Sequence, residues 1–350
     1  MVARCVRGLE SLLATEILRH ELGTITRIGH REVHFRTGLP AAEATALRLA
    51  DDVFRLVARI PDPGPARSGL AALADLAALA DPADLVDPAA LGEGGGLGGG
   101  APAVAGVEVS ASFLGRRNYN RHDAEDAVGR ALAGRLGVPY HSRRDGSAPP
   151  PGYGAYRLAL DGDRAGLMLR VAGRPLHRRA YKRRTVPGTL HPPVAAAMAV
   201  LAEIRSGHAV LDPCCGAGTP LIEAALLQPG ARCRGFDIGR EAVEASRANA
   251  EGLGIEFRRG DAAALPLPDG SVDRVVCNPP WGRQVGRHGR LSGWWRELRR
   301  VLAPGGAAVV LTPDTADLTA AIRAGLAPVH LQRVRVSGAH SGLVRLDRQA

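Results

Sequence analysis

The run Ala209-Val210-Leu211-Asp212-Pro213-Cys214-Cys215-Gly216-Ala217-Gly218-Thr219 decides the fold. An apolar strand leads into an acidic residue, then a glycine-rich turn, then a helix expected from Thr219 to about Leu227. Gly216 and Gly218 let backbone approach a ligand closely. That is the logic of a nucleotide-binding strand–turn–helix unit. The spacing is not Gly-x-Gly-x-x-Gly, and no Gly-Lys-Thr follows to cradle a phosphate. An acid at Asp212 suits a cationic amino group better than a pyrophosphate.

Two further strands end in acids. Cys233-Arg234-Gly235-Phe236-Asp237 places Asp237 where two ribose hydroxyls could be held. Ile255-Glu256-Phe257-Arg258-Arg259-Gly260-Asp261-Ala262 places Asp261 where an adenine amino group could be met. Amino acid, ribose and adenine together spell S-adenosylmethionine. A fourth strand, Arg274-Val275-Val276-Cys277, runs into Asn278-Pro279-Pro280-Trp281-Gly282. The prolines cannot donate to a sheet and end the strand abruptly. An exocyclic amine on a planar base is a poor nucleophile, because its lone pair is delocalised into the ring. The Asn278 side-chain oxygen and the Pro279 carbonyl can accept its two N–H bonds and free that lone pair. Trp281 can stack on the base, a contact worth roughly 1–3 kcal/mol. Taken alone, Asn-Pro-Pro is equally well a tight turn with a packing tryptophan.

The two motifs in this order resemble class I methyltransferases of the amino-methylating kind. That resemblance implies a cofactor set of Asp212, Pro213, Cys214, Gly216, Gly218, Thr219, Asp237, Ile238, Asp261, Ala262 and Asn278. It implies a catalytic set of Asn278, Pro279 and Trp281.

The 350-residue chain is too long for one average domain. Its formal charge of +10 suggests a polyanionic partner. Lys182 is the only lysine, so where the arginines cluster says more than their number. Cys5, Cys214, Cys215, Cys233 and Cys277 are odd in number and lack zinc-ligand spacing, which fits a reducing cytoplasm and no metal. Cys277 could be a nucleophile, but its place in an apolar strand favours a buried thiol. No apolar run reaches about 20 residues, so no membrane span is expected.

Before the glycine-rich turn the chain alternates strands and helices. Val2–Arg7, Arg31–Arg36 and Val53–Ile60 read as strands, Leu9–Leu18 and Ala41–Leu49 as helices. Ala71–Ala80 reads as another helix, and 92–103 is a glycine-rich insert. A strand at Val107–Ser112 leads to Arg116-Arg117-Asn118-Tyr119-Asn120-Arg121-His122 and a helix with Asp123 as N-cap. Tyr156–Leu160 and Ala165–Val171 form a hairpin. Basic residues, amides and an aromatic interleaved before a helix suit RNA, though a polar surface loop fits them as well. Arg178, Arg179, Lys182, Arg183 and Arg184 form the densest basic run, for which a solvated face is the ordinary alternative.

Strand, Arg-Arg-Asn-Tyr-Asn-Arg-His, helix and hairpin resemble a THUMP domain, the tRNA-binding module of RNA-modifying enzymes. Leu176-His177-Arg178-Arg179-Ala180-Tyr181 is similar to a region of THUMP guanine methyltransferases. The resemblance implies Arg116, Arg117, Asn118, Tyr119, Arg121 and the 178–184 run as RNA contacts. It implies four parts: a ferredoxin-like α+β domain at 1–62, a THUMP domain at 63–172, a basic linker at 173–190, and a Rossmann-like methyltransferase domain at 191–350 with a mostly parallel seven-stranded sheet. The expected activity is formation of N2-methylguanosine in tRNA or another structured RNA by a cytoplasmic monomer using S-adenosylmethionine. Guanine methylation of ribosomal RNA, adenine N6 methylation of DNA, and a non-catalytic RNA-binding protein with a degenerate methyltransferase fold are the alternatives.

Overall fold

The computed structural model describes residues 1–81, 84–85, 104–280, 291–313, 316–336 and 338–349. The chain divides into two units. The first comprises Met1–Arg4, Leu18–Ala46 and Asp52–Pro175; the second comprises Cys5–Ile17, Leu47–Asp51 and Leu176–Ala350. Strand β1 (Val2–Arg4) is followed by helix α1 (Glu10–Arg19), most of which groups with the second unit.

In the first unit, β1 joins β2 (Thr24–Gly29), β3 (Glu32–Arg36), β4 (Asp52–Pro61), β5 (Gly106–Phe113), β6 (Tyr140–His141), β7 (Tyr153–Leu160) and β8 (Arg164–Arg170). They form one eight-stranded sheet in the order β2-β3-β1-β4-β8-β7-β5-β6. Strands on both sides of the expected 62/63 boundary thus share a sheet, because β4 pairs antiparallel with β8. Residues 176–190, expected in a linker, group with the second unit.

Helices α2 (Gly69–Leu79) and α3 (Arg121–Leu136) put Leu73, Leu76, Val128 and Leu132 into a core with Val107, Val109, Tyr156 and Leu158. Burying each such leucine contributes about 1.5–3 kcal/mol. Helix α3 starts two residues earlier than expected. Asn120, not Asp123, is its N-cap, and the two form a capping box: the Asn120 side chain accepts from the Asp123 N–H at 3.1 Å and Asp123 accepts from the Asn120 N–H at 3.1 Å. The helix expected over Ala41–Leu49 is only a 3-10 turn, Ala41–Ala46. Past it, the N–H groups of Arg48 and Leu49 donate to the Glu16 carboxylate at 2.7 and 3.0 Å instead of continuing a helix. Strand β2 is not among the expected strands, although Thr24, Ile25, Thr26 and Ile28 are β-branched; it is half-exposed and pairs with β3. The glycine-rich insert 92–103 lies outside the described residues.

The second unit carries β9 (Ala209–Asp212), β10 (Arg232–Asp237), β11 (Glu256–Arg259), β12 (Val272–Cys277), β13 (Leu302–Thr312), β14 (Leu326–Val336) and β15 (Ala339–Arg348). Their order is β11-β10-β9-β12-β13-β15-β14. β9 to β13 run parallel, and β15 alone is antiparallel to its neighbours. The fold is therefore the α/β, Rossmann-like class expected, with a mixed rather than purely parallel sheet. Helices α4 (Pro192–Leu201), α5 (Thr219–Leu227), α6 (Arg240–Asn249), α7 (Leu291–Val301) and α8 (Ala316–Arg323) complete the unit. Trp294 and Trp295 on α7 are buried and pack edge to face. The strand order reverses at β9, so the open crevice lies where β9 and β12 end.

In the first unit, Arg117 donates twice to Asp62, at 2.8 and 2.5 Å, and both side chains are buried. Burial works to raise the Asp62 carboxyl, yet hydrogen bonds from Arg117 and Gly64 hold it below its ordinary value. Its stabilising contribution is present above the unfolded value near 4 and is lost as pH falls through the depressed one. Arg117→Leu should therefore lower stability at pH 7 by about 3–5 kcal/mol, and the gap should narrow on acidification. Urea unfolding at pH 7 and pH 3 measures both, and equal stability at pH 7 would rule the pair out as a strut.

Candidate active site

Four strands deliver the expected side chains to one edge of the sheet. Asp212 ends β9, Asp237 ends β10, Asp261 follows β11, and Asn278 follows β12. The turn after β9 is closed by two backbone bonds, Cys215 N–H to Phe236 O at 2.8 Å and Gly218 N–H to Cys215 O at 2.7 Å. Gly216 and Gly218 have φ of 50° and 82°. That is the left-handed region where a side chain is strained. Gly218 stands just before α5, and Pro220 occupies its first turn. Pro213 and Thr219 are buried in the same turn, and Cys214 is half-buried. Gly235 keeps β10 close to its neighbour: a Cβ there would meet the Phe257 ring at 2.6 Å.

The acids differ in how they are held. Asp237 accepts the Gly216 N–H at 2.9 Å and the Gly239 N–H at 2.8 Å, tying the strand end to the glycine turn. Ile238 beside it, at the strand end, is 58% exposed. Asp261 is exposed and accepts the Ala263 N–H at 2.9 Å, with Ala262 half-buried next to it. Asp212 is fully buried; its Oδ1 accepts the Cys214 N–H at 3.1 Å, and its Oδ2 has no hydrogen-bond partner among the described residues. Burial pushes its carboxyl up to about 7. An orphaned buried oxygen is costly unless a ligand or solvent donor reaches it. A strained glycine turn, a carboxylate at the next strand end and an exposed isoleucine fit an adenosine with an amino-acid tail.

Asn278 is half-exposed and donates from Nδ2 to the Gly188 carbonyl at 3.2 Å. Pro279 is buried behind it. Trp281 and the basic loop 286–290 lie outside the described residues. Cys277 is fully buried in β12. Its thiol is raised well above its ordinary value by burial first, then by Cys214 and Asp212. That disfavours the thiolate a nucleophile needs.

The RNA-contact set divides. Arg116, Asn118 and Arg121 are exposed. Arg117 and Tyr119 leave the set, because Arg117 is committed to Asp62 and Tyr119 is 5% exposed. In the basic run, Arg178 and Arg184 are exposed. Arg179 is a correction too: it donates to Glu223 at 3.1 Å, to the Leu176 carbonyl at 2.7 Å and to the Arg48 carbonyl at 2.6 Å. Arg183 is exposed and ion-paired with Glu251. Lys182 is half-buried, which lowers its ammonium.

Two residues that hold the site were missed by sequence reasoning. Glu223 on α5 has no exposed surface, and it gathers Arg48 at 2.8 Å, Arg179 and the Tyr181 hydroxyl at 2.6 Å. Asn249 at the end of α6 accepts the N–H groups of Arg183 and Arg184 at 2.9 Å each. Its Nδ2 donates to the carbonyls of Arg184 and Ala217 at 2.9 Å each, so one amide ties the basic run to the glycine turn. The available signals were a lone acid inside the apolar helix Thr219–Leu227, and an amide on the stripe Val243, Ser246, Asn249.

Fold and site together define a class I methyltransferase that uses S-adenosylmethionine. Residues 179–342 match the family UPF0020, RMKL-like, methyltransferase domain. The tRNA (guanine(6)-N2)-methyltransferase of Thermus thermophilus is 34% identical over 250 residues, covering 69% of this chain and 72% of that one. The crystal structure of TrmN from Thermus thermophilus superposes with a TM-score of 0.81 at 29% identity, covering 99% of each chain. A tRNA (guanine(10)-N2)-dimethyltransferase of Methanothermobacter thermautotrophicus is 38% identical over 144 residues, covering 39% of this chain and 42% of that one. The chain belongs to this RMKL-like family of guanine-N2 methyltransferases.

Removing the Asp237 carboxylate tests the cofactor assignment. Asp237→Ala should weaken S-adenosylmethionine binding by about 1–3 kcal/mol, the range of a charge-assisted hydrogen bond. Isothermal calorimetry reads it directly, and an unchanged dissociation constant would remove Asp237 from the site.

Proposed function

We propose that this chain transfers a methyl group to the exocyclic N2 of guanosine in tRNA. The observation that carries the reading is Asn278: an amide at the end of β12, beside the glycine turn, with its Nδ2 already engaged and its Oδ1 left to accept. The names of the relatives in Thermus thermophilus and Methanothermobacter thermautotrophicus support guanosine and tRNA.

S-adenosylmethionine supplies a methyl group on a sulfonium centre, which leaves as a neutral thioether. The residues that would hold it are Asp212, Gly216, Gly218, Asp237, Ile238 and Asp261. Asn278 Oδ1 and the Pro279 carbonyl accept the two N–H bonds of the target amine. That draws its lone pair out of the ring. The amine nitrogen forms the new N–C bond, and its surplus proton passes to water. Trp281 closes the set by stacking on the base. Holding amine and methyl in line supplies much of the acceleration, and a target within a stem is flipped out first.

RNA capture falls to cationic and polar side chains. Arg116, Asn118 and Arg121 in the first unit, read as a THUMP module, and Arg178, Lys182, Arg183 and Arg184 in the second are the proposed contacts. Phosphate contacts of this kind dominate affinity and make it salt-dependent. Among the described residues no helix is long and apolar enough to cross a membrane, and no group of three or more metal-ligating side chains occurs.

Nucleoside mass spectrometry of tRNA from a deletion strain tests the product: N2-methylguanosine should fall and return with the gene. Asn278→Ala should lower the single-turnover rate about 100-fold or more with RNA affinity little changed, since the amide works mainly in the transition state. Rapid quench with labelled cofactor and saturating tRNA measures it. A near-normal rate, or label on a pyrimidine carbon, would overturn the assignment.

A further inference from the structure

A side-chain amide has two ends of nearly equal shape and opposite polarity. Only the oxygen end of Asn278 can accept an N–H from an amine. With the nitrogen end turned toward the target, donor would face donor. The site therefore needs something that selects the end.

The segment Val186-Pro187-Gly188-Thr189 supplies it. Proline sits at the second position of a tight turn and Gly188 at the third, with φ of 78°. That is the sequence and geometry of a type II turn. The Thr189 N–H donates to the Val186 carbonyl at 3.0 Å, and the Thr189 hydroxyl donates to the same carbonyl at 2.6 Å. The Val186 N–H donates back to the Thr189 hydroxyl at 2.9 Å. The turn is pinned at both ends. Upstream, Asn249 holds the N–H groups of Arg183 and Arg184; downstream, Leu190 is buried and His191 Nε2 lies 2.6 Å from Asp51 Oδ1. The Val186 side chain lies over the glycine turn, 3.7 Å from where a Cβ on Gly216 would stand. The turn thus offers one fixed carbonyl, that of Gly188, to Asn278 Nδ2 at 3.2 Å. A carbonyl can only accept, so it binds the nitrogen end and repels the oxygen end.

We propose that the Val186–Thr189 turn is a positioning element for the reaction: the Gly188 carbonyl selects the orientation of the Asn278 amide and commits Oδ1 to the target amine. This rests on the reading of Asn278 as the acceptor for that amine. Thr189 acts at one remove, by holding the turn closed.

A double-mutant cycle tests it in the full chain with tRNA from the deletion strain. Gly188→Ala strains the left-handed turn, and Thr189→Val keeps the shape but removes the hydroxyl. Each should lower the single-turnover rate about 3- to 10-fold, the kinetic equivalent of losing one hydrogen bond. Cofactor and tRNA dissociation constants should move less than about twofold. In the Asn278→Ala background neither change should cost more, because there is no amide left to orient. Equal losses in both backgrounds would make the turn a purely structural support and overturn the proposal. So would a normal rate for both turn variants in the Asn278 background. If instead Asn278→Ala alone ran at the normal rate, the acceptor reading itself would fall, and the proposal with it.

Discussion

Glu223 has no surface in water, yet it is an acid in the first turns of α5, directly behind the glycine turn. An isolated carboxylate there would cost several kcal/mol. It is tolerable only because Arg48, Arg179 and Tyr181 converge on it. Burial and then the carboxylate beside it push the Tyr181 hydroxyl well above its ordinary range, so it stays a donor. Residues 47–51 and 176–181 are consequently tied to the helix that begins at the cofactor turn. A single buried charge dictates where three distant stretches of sequence meet.

Once Tyr181 is anchored, the chain that follows it is led across the site. Asn249 takes the next two N–H groups, the Pro187–Gly188 turn comes next, and Leu190 and His191 return the chain to α4. The basic run is therefore two things at once. Arg179 faces inward to neutralise Glu223, while Arg178 and Arg184 face solvent. Alternation of inward and outward arginines lets one short segment be both strut and exposed cationic surface, as the long guanidinium stem permits.

The parallel half of the sheet was legible because its signals are local. Short strands leading to Asp212, Asp237, Asp261 and Asn278 need only the chain itself to announce them, and helix Thr219–Leu227 runs over the residues expected. What was not legible depends on partners far away in sequence. Arg117 and Tyr119 read as RNA contacts because nothing local shows Asp62 and Gly64 waiting for them. Arg179 read as surface because Glu223 lies 44 residues on. Strand β2, by contrast, pairs with β3 and carries its own β-branched signal at Thr24, Ile25, Thr26 and Ile28, so it was legible and overlooked. The sequence-based domain boundaries assumed contiguous pieces, whereas residues 5–17 and 47–51 group with the second unit.

The same locality bears on the proposal that the chemistry falls to an amide rather than a thiol. β12 places Cys277 and Asn278 one residue apart, and side chains alternate faces along a strand. Cys277 points into a core with Leu211, Phe236 and Val275, where burial suppresses its thiolate. The prolines then stop the strand, and Asn278 is the first side chain beyond the sheet edge. A neutral amide at that point can accept from an amine without first changing its own charge. Asp212, fully buried one strand away, is a carboxyl whose charge depends on its surroundings, pushed up to about 7 by burial. An amide, like the Pro279 carbonyl next to it, is ready to accept at neutral pH whatever the local dielectric. An amide has two ends, and in our proposal the Gly188 carbonyl, which accepts from Nδ2 at 3.2 Å, tells them apart.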